Sequence, residues 1–150
     1  MKKLRRSLLL IGIAAMLLAA CGKKEVDILP FSSLTPGRTV EEVSASEPGE
    51  SVSDTVYIVR KEYNGMPLYA TFDDARPGNG VIWNAYEDEG DLDKLTAGIK
   101  KYCDKNYKLI EESERDGTTN TLWETGEYSV FMQDFVKGGK RQVDISVLRN

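Results

Sequence analysis

The chain reads VYIVRKEYNGMPLYATF from Val56 to Phe72, and this stretch gives the clearest indication of the fold class. Apolar and polar side chains alternate on both sides of Asn64-Gly65, which is the period-two pattern of a half-buried β-strand. Asn-Gly favours a two-residue hairpin turn, because both turn residues need a positive φ. The stretch therefore predicts two antiparallel strands joined by a tight turn.

Further strands are predicted after this hairpin. They share short runs of strand-forming residues bounded by loop or turn residues, and they cover residues 81–86, 107–113, 119–125, 128–136 and 141–148. Asp116-Gly117, Gly126 and Gly138-Gly139 separate the last four strands as hairpin turns would. In the last strand, apolar residues alternate with polar ones, which predicts one packed face and one hydrated face.

Two helices complete the predicted domain. Thr39 and Glu42 match a capping box at the start of a short helix from about residue 40 to residue 46. Asp91 is the predicted N-cap of a helix over residues 91–105, whose apolar side chains recur at helical spacing. We therefore predict one α+β domain over residues 36–150, with two helices packed on one face of an antiparallel, meander-like sheet. The order of elements also predicts an internal α-β-β-β duplication.

The first 35 residues are predicted to lie outside this domain. Residues 1–20 combine a basic head, an apolar run and small residues, which is the pattern of a secretory signal peptide. The sequence Leu18-Ala19-Ala20-Cys21 resembles the lipobox of bacterial lipoproteins. That resemblance implies that Cys21 becomes the first mature residue, carries a diacylglycerol and anchors the protein outside the cytoplasm, on the cell membrane or outer membrane of a bacterium. An uncleaved anchor and a simple secreted protein are the alternatives.

Two polar segments are predicted to be irregular. Residues 21–35 form the lipidated Cys and a flexible tether, and residues 44–54 are likewise rich in Ser, Pro, Gly and Glu and hold no predicted strand. Two cysteines occur, Cys21 and Cys103, so a lipidated Cys21 leaves no pair for an intramolecular disulfide. Cys103 falls in the helical apolar pattern and is predicted to be a buried, unreactive thiol.

The charge of the chain disfavours nucleic acid as a partner. Removal of residues 1–20 takes away four basic residues and no acidic one, so 20 basic and 24 acidic residues become 16 and 24 and the net charge moves from −4 to −8. Phosphate contacts need Lys and Arg. The same charge predicts that anionic lipid headgroups repel the domain and hold it off the membrane.

A second resemblance concerns the segment Leu34–Val43, LTPGRTVEEV, followed by Glu47-Pro48-Gly49. With the order of elements, it is similar to small envelope lipoproteins of the outer-membrane assembly accessory type and to the related β-lactamase-inhibitor-protein-like fold. Members of that group often begin a repeat with Gly, a Thr or Ser cap, an acidic residue and Val. Here the turn order is Pro48-Gly49 rather than Gly-x-Pro. The resemblance implies a binding module that works through a sheet or loop surface, with no catalysis and no cofactor.

The composition offers little catalytic chemistry. The chain has no histidine, which removes the usual general base near neutral pH and the commonest metal ligand. The acidic run at residues 87–93 is predicted to be a solvated loop at a helix start rather than a calcium site, because its spacing does not fit an EF-hand loop. We predict no catalytic residue, no cofactor and no metal.

The predicted function is that of a non-enzymatic, lipid-anchored envelope protein that binds another protein. The turns at Asn64-Gly65 and Gly138-Gly139, with Tyr63, Tyr69 and Phe135, are the predicted contact residues. Trp83 and Trp123 are predicted to lie in the core. An enzyme that acts on cell-wall glycan through a carboxylate pair and a small-ligand-binding lipoprotein are the alternatives.

Overall fold

Two α-helices and eight β-strands follow one another in the computed structural model, which describes residues 27–76, 78 and 80–150. The helices are α1 (Val40–Ser46) and α2 (Leu92–Asn106), and a short 3₁₀ helix (Glu87–Glu89) precedes α2. The strands are β1 (Gly49–Ser53), β2 (Val56–Tyr63), β3 (Met66–Asp73), β4 (Gly80–Tyr86), β5 (Lys108–Arg115), β6 (Thr118–Glu124), β7 (Tyr128–Lys137) and β8 (Lys140–Arg149).

All eight strands form one antiparallel sheet in the order β1-β2-β3-β4-β8-β7-β6-β5. Each set of four consecutive strands is a meander, and the last strands of the two sets, β4 and β8, pair at the centre over seven positions. The prediction of an α+β fold with an antiparallel sheet is confirmed.

The structure corrects one assignment in the N-terminal half. Gly49–Ser53 lies within a polar segment in which no strand is predicted, yet it forms β1 and pairs with β2. All five residues are exposed, so the segment has no alternation of apolar and polar residues that a sequence pattern could reveal. The N-terminal half therefore has four strands rather than three.

The predicted two-residue turns are confirmed by their backbone angles. Asn64-Gly65 has φ values of 55° and 82°, and Asp116-Gly117 has 52° and 74°. Gly138-Gly139 has 62° and 81°. Left-handed φ at both positions matches the right-handed twist of the flanking strands, so these turns fix the registers of three hairpins.

Both helix caps are also confirmed. The Thr39 side chain accepts a hydrogen bond from the N–H of Glu42, and the Glu42 carboxylate accepts one from the N–H of Thr39 at 2.9 Å. Asp91 accepts from the N–H of Lys94 at 3.0 Å. In addition, Asp74 in the loop after β3 accepts from the N–H of Val40 at 2.9 Å, which attaches α1 to the sheet.

Strand register places the buried side chains of the sheet on one face, which we call the buried face. It comprises Tyr57, Val59, Met66, Leu68, Ala70, Phe72, Val81, Trp83, Ala85, Thr121, Trp123, Val130, Met132, Val143, Ile145 and Val147. The predicted core positions Trp83 and Trp123 are both fully buried. The buried side chains of α1 and α2 belong to the same hydrophobic cluster, so burial of apolar area across one core stabilises the domain.

Residues 27–34, which we call the strap, correct the predicted start of the domain. Leu29 and Leu34 are buried in the hydrophobic cluster, and the Phe31 ring packs against Trp83 with centroids 5.3 Å apart. Leu29 and Ser32 exchange two backbone hydrogen bonds across a tight turn. Residues 27–34 are therefore part of the domain, and this portion of the predicted tether belongs to the core.

The predicted signal peptide, the lipobox-like segment and Cys21 lie outside the described residues. In the described part of the chain, no helix has the length and hydropathy needed to cross a membrane.

Candidate functional site

The second face of the sheet, which we call the outer face, carries the side chains that alternate with the buried ones. Its central residues are Tyr69, Ile82, Asn84, Tyr86, Leu122, Phe131, Gln133, Phe135, Gln142, Asp144 and Leu148. All of these side chains keep at least partial contact with solvent. This face combines a polar row with apolar side chains on both sides of it.

The polar row is held by hydrogen bonds between side chains of neighbouring strands. Asp144 on β8 accepts from the amide of Asn84 on β4 at 2.7 Å and from the amide of Gln142 at 2.6 Å. On the neighbouring strands, the Gln133 amide donates to the Asn120 side-chain oxygen at 2.9 Å. These bonds fix the orientation of the row and leave further amide groups for a partner.

Apolar side chains flank the row and are unusually exposed for their size. Ile82 is 49% exposed and Leu148 is 39% exposed, and both lie beside the central β4–β8 pair. Phe131 lies on the same side of the row, in register with Ser146 of β8. Exposed apolar area of this kind, rimmed by polar groups, is typical of an interaction surface.

Two tyrosines lie at the β3–β4 end of the row, Tyr69 in register with Asn84 and Tyr86 on the other side of the row from Ile82. Tyr86 is 37% exposed, and its ring centroid lies 6.4 Å from that of Tyr69. The Tyr69 hydroxyl donates to Glu89 at 2.8 Å, and this hydrogen bond is the main reason that the pKa of Tyr69 is raised. Burial raises the pKa of Tyr86. Both phenols are therefore neutral at physiological pH and present a polar edge on an apolar ring.

The structure separates the three predicted contact residues. Tyr69 and Phe135 lie on the outer face, on β3 and β7. Tyr63 is in register with Met66, on the side of the buried face, and packs against Phe31 with centroids 5.7 Å apart. The Asn64-Gly65 turn lies against α2, where a Cβ on Gly98 would come within 2.5 Å of the Asn64 amide nitrogen.

Sequence reasoning missed the most exposed apolar residues of the outer face, Ile82 and Leu148. A signal was present, since each has the parity of the polar residues in its strand. An apolar residue at a position of polar parity indicates an apolar side chain on the outer face.

A groove lies where β3 and β4 separate. These strands pair only at Tyr69 with Asn84 and Ala70 with Trp83, and beyond these positions a space of about 440 Å³ opens between Thr71–Asp73 and Gly80–Ile82. The described residues that line it also include Arg38, Asp74 and Asp144. Its volume is in the range of small-ligand pockets.

Several carboxylates of the chain have structural roles. Asp91 caps α2, and Asp88 pairs with Lys140 at 2.8 Å, a hydrogen bond that lowers the pKa of Asp88. Asp134 accepts from Arg141 at 2.8 and 2.6 Å. Among the described residues, no group of three or more His, Cys, Asp and Glu side chains is placed to hold a metal ion.

Cys103 lies in the core on α2, where it is fully buried. Burial raises the pKa of its thiol to about 12. Because the thiolate is the reactive form, this environment opposes reaction at Cys103 near neutral pH.

Comparison with known proteins gives no relative: no family model, no curated protein and no solved structure matches this chain. Both resemblances, to lipoproteins and to assembly accessory proteins, therefore stay predictions from the sequence.

Proposed function

We propose that the protein is a non-enzymatic, lipid-anchored module of the bacterial cell envelope, and that its outer face binds another envelope protein. The observation that carries this proposal is the exposed apolar area of Ile82, Tyr86 and Leu148 at the middle of a hydrogen-bonded sheet. Cys21 would hold the module at the membrane by its acyl chains, which raises its effective concentration near membrane partners.

In this proposal the two helices and the strap cover the buried face, and the two helix-and-strand halves arose by duplication. The buried residues of α1, α2 and the strap support the first point, since all belong to the cluster that the buried face forms. The order α-β-β-β-β in each half supports the second. The outer face is then the broad surface left for a partner.

The proposed binding face is tested by crosslinking in cells followed by affinity capture. Ile82→Lys and Leu148→Lys place charges on exposed positions of the outer face, so the fold tolerates them and the partner does not. We expect each variant to lose at least 10-fold of the crosslinked partner, which corresponds to about 1.4 kcal/mol. Val136→Lys is the matched control, because Val136 is 63% exposed and has the parity of the buried face.

Equal partner recovery from all three variants would contradict the assignment of the outer face. Cys21→Ala tests the anchor separately. It should leave an unacylated precursor, and continued lipid labelling of that variant would refute lipidation at Cys21.

The groove between β3 and β4 favours a second candidate, a small-ligand-binding lipoprotein. Arg38, Asp73 and Asn84 contribute to its lining, so a polar ligand fits it better than a lipid. A thermal-shift screen of polar metabolites tests this candidate. A ligand that stabilises the wild type and fails to stabilise Asn84→Leu would favour ligand binding over protein binding.

A further inference from the structure

The point where the strap leaves the domain is fixed by two tyrosines at the C-terminal end of α2. The Tyr102 hydroxyl donates to the carbonyl oxygen of Asp27 at 2.6 Å, and the Tyr107 hydroxyl donates to that of Ile28 at 2.7 Å. The two rings meet edge to face, with centroids 6.1 Å apart. The chain that leads back to Cys21 therefore leaves the domain at a defined place.

The connection from that place to the proposed anchor is short. Asp27 follows Cys21 by six positions, and a fully extended chain of this length spans about 20 Å. If Cys21 is in the bilayer, the C-terminal end of α2 lies within that distance of the headgroups. A domain that begins at residue 36 would have had a much longer tether.

The surface around the exit of the strap carries lysines and apolar side chains, together with the exposed carboxylates of Asp27, Asp104 and Glu124, the last of which lies opposite Lys108. Lys101, Lys105 and Lys108 are exposed, and none of them forms an ion pair with a described carboxylate. Their neighbour Lys100 differs, since it pairs with Asp104 and Glu112. Leu109 and Ile110, at the start of β5, are also exposed. We call these five residues, Lys101, Lys105, Lys108, Leu109 and Ile110, the anchor-side patch.

The acidic residues of the 87–93 run lie at the other end of α2. Gly98, in the first half of that helix, contacts the Asn64-Gly65 turn, while its last turn leads into β5. The end of α2 near the strap exit carries unpaired lysines, and the start of α2 carries Glu87, Asp88, Glu89 and Asp93.

We propose that the anchor-side patch binds anionic lipid headgroups and so sets the orientation of the domain on its membrane. Lysines close to an anionic surface are attracted to it, and Leu109 and Ile110 provide apolar side chains for the interface. This inference rests on the lipid anchor of the proposed function, and it reverses the expectation that headgroups hold the domain off.

The orientation has a consequence for the partner. The Asn64-Gly65 and Gly138-Gly139 turns lie at the end of the sheet opposite to the start of β5. With the anchor-side patch on the membrane, these turns point away from it and the outer face stands free along its length. A partner on the same membrane could then reach that face from the side.

The test uses the lipidated chain, purified from membranes and reconstituted into vesicles that contain brominated phosphatidylglycerol or brominated phosphatidylcholine. Trp83 and Trp123 are fully buried, so a tryptophan introduced by Leu109→Trp reports contact with brominated lipid above a small background. Val52→Trp, at an exposed position on the distant edge strand β1, is the matched control. Flotation of the vesicles reports the anchor independently of contact.

We expect the Leu109→Trp signal to be quenched in phosphatidylglycerol vesicles, with little quenching for Val52→Trp. Each Lys→Gln change at Lys101, Lys105 or Lys108 should reduce the docked population roughly fivefold. A control triple variant, Lys94→Gln, Arg115→Gln and Lys137→Gln, removes three positive charges instead of one and should still keep the quenching.

Equal quenching of both introduced tryptophans, or floating protein without Leu109→Trp quenching, would overturn the docking inference and leave the anchor intact. Quenching that is the same in phosphatidylcholine would overturn the role of the lysines. Protein that does not float with either vesicle would refute the lipid anchor, and the docking inference would fall with it.

Discussion

The N-terminal half, α1 with β1–β4, and the C-terminal half, α2 with β5–β8, use the same order of elements with different internal support. In the C-terminal half, β7 and β8 are joined by a two-residue turn and pair at ten positions. In the N-terminal half, β3 and β4 are joined by residues 74–79 and pair at two positions. Helix α1 has seven residues and α2 has fifteen. Segments that are adjacent in sequence thus stabilise the C-terminal half. The N-terminal half also depends on the strap, which lies outside its helix and strands.

The two buried tryptophans show where the strap contacts the N-terminal half. Trp123 on β6 donates its indole N–H to Asp104 of α2 at 2.8 Å. The indole N–H of Trp83 on β4 has no hydrogen-bond partner among the described residues, and its ring meets the Phe31 ring of the strap at 89°. Trp83 is therefore held by aromatic packing against the strap, whereas Trp123 is held by its hydrogen bond to α2.

The largest expected effect on the N-terminal half comes from Leu29→Ala in the strap. Leu29 is fully buried, so its truncation removes apolar contacts and leaves a cavity. We expect a loss of about 2–5 kcal/mol in the free energy of unfolding, measured by chemical denaturation. Leu95→Ala in α2, at another fully buried position, should cost a similar amount.

Val52→Ala on β1 is the control for this prediction, because Val52 is exposed and its truncation should change stability by about 0.5 kcal/mol or less. A change that small for Leu29→Ala would mean that residues 27–34 behave as the flexible tether that composition predicted.

The sequence predicted the C-terminal half well because its signals are local. Asp116-Gly117 and Gly138-Gly139 set the hairpins, and the stripe from Leu92 to Cys103 sets α2. In contrast, β1 is a strand only because β2 offers it an edge. The position of the strap depends on partners far along the chain, such as Tyr107, which bonds to Ile28, and no local pattern encodes such contacts.

The candidate site was predictable in the same uneven way. Alternation in 141–148 assigned Gln142 and Asp144 to a hydrated face. Whether Tyr63 and Tyr69 share a surface depends on strand register. Tyr63 pairs with Met66 across the two-residue turn, so Tyr69, three positions after Met66, falls on the opposite face. The separation of β3 from β4, which opens the groove, has no counterpart in the residue pattern.

Alkaline pH should also distinguish the two halves, because it should weaken the contacts of the strap before it weakens the C-terminal hairpins. Burial raises the pKa of Tyr107 above its ordinary value of 10.0, and it also raises the pKa of Tyr102. Because the folded state keeps these protons longer than the unfolded state, stability is fully present below pH 10.0 and falls as pH rises above it.

Tyr107→Phe removes both the hydrogen bond to Ile28 and this titration. We expect it to cost about 1 kcal/mol at neutral pH and to flatten the alkaline fall in the free energy of unfolding. Denaturation curves of wild type and variant, measured from neutral pH upward, check this. Parallel pH profiles for the two proteins would show that Tyr107 does not hold the strap through its protonated hydroxyl.

The smallest expected effects come from the two helix caps, and they separate the halves by location rather than by size. Thr39→Ala and Asp91→Ala each remove one cap hydrogen bond and should each cost about 1 kcal/mol. Helix α1 buries two side chains, Val40 and Val43, and a helix of seven residues is marginal without its cap. Hydrogen exchange should therefore rise throughout 40–46 in Thr39→Ala. Thr39→Ser, which keeps the hydroxyl, should leave the exchange rate unchanged.

Since α2 buries four side chains, Asp91→Ala should raise exchange only in its first turn. Faster exchange along the whole of α2 would mean that it depends on its cap as α1 does, and the contrast between the halves would then lie in the strap and the β3–β4 separation alone.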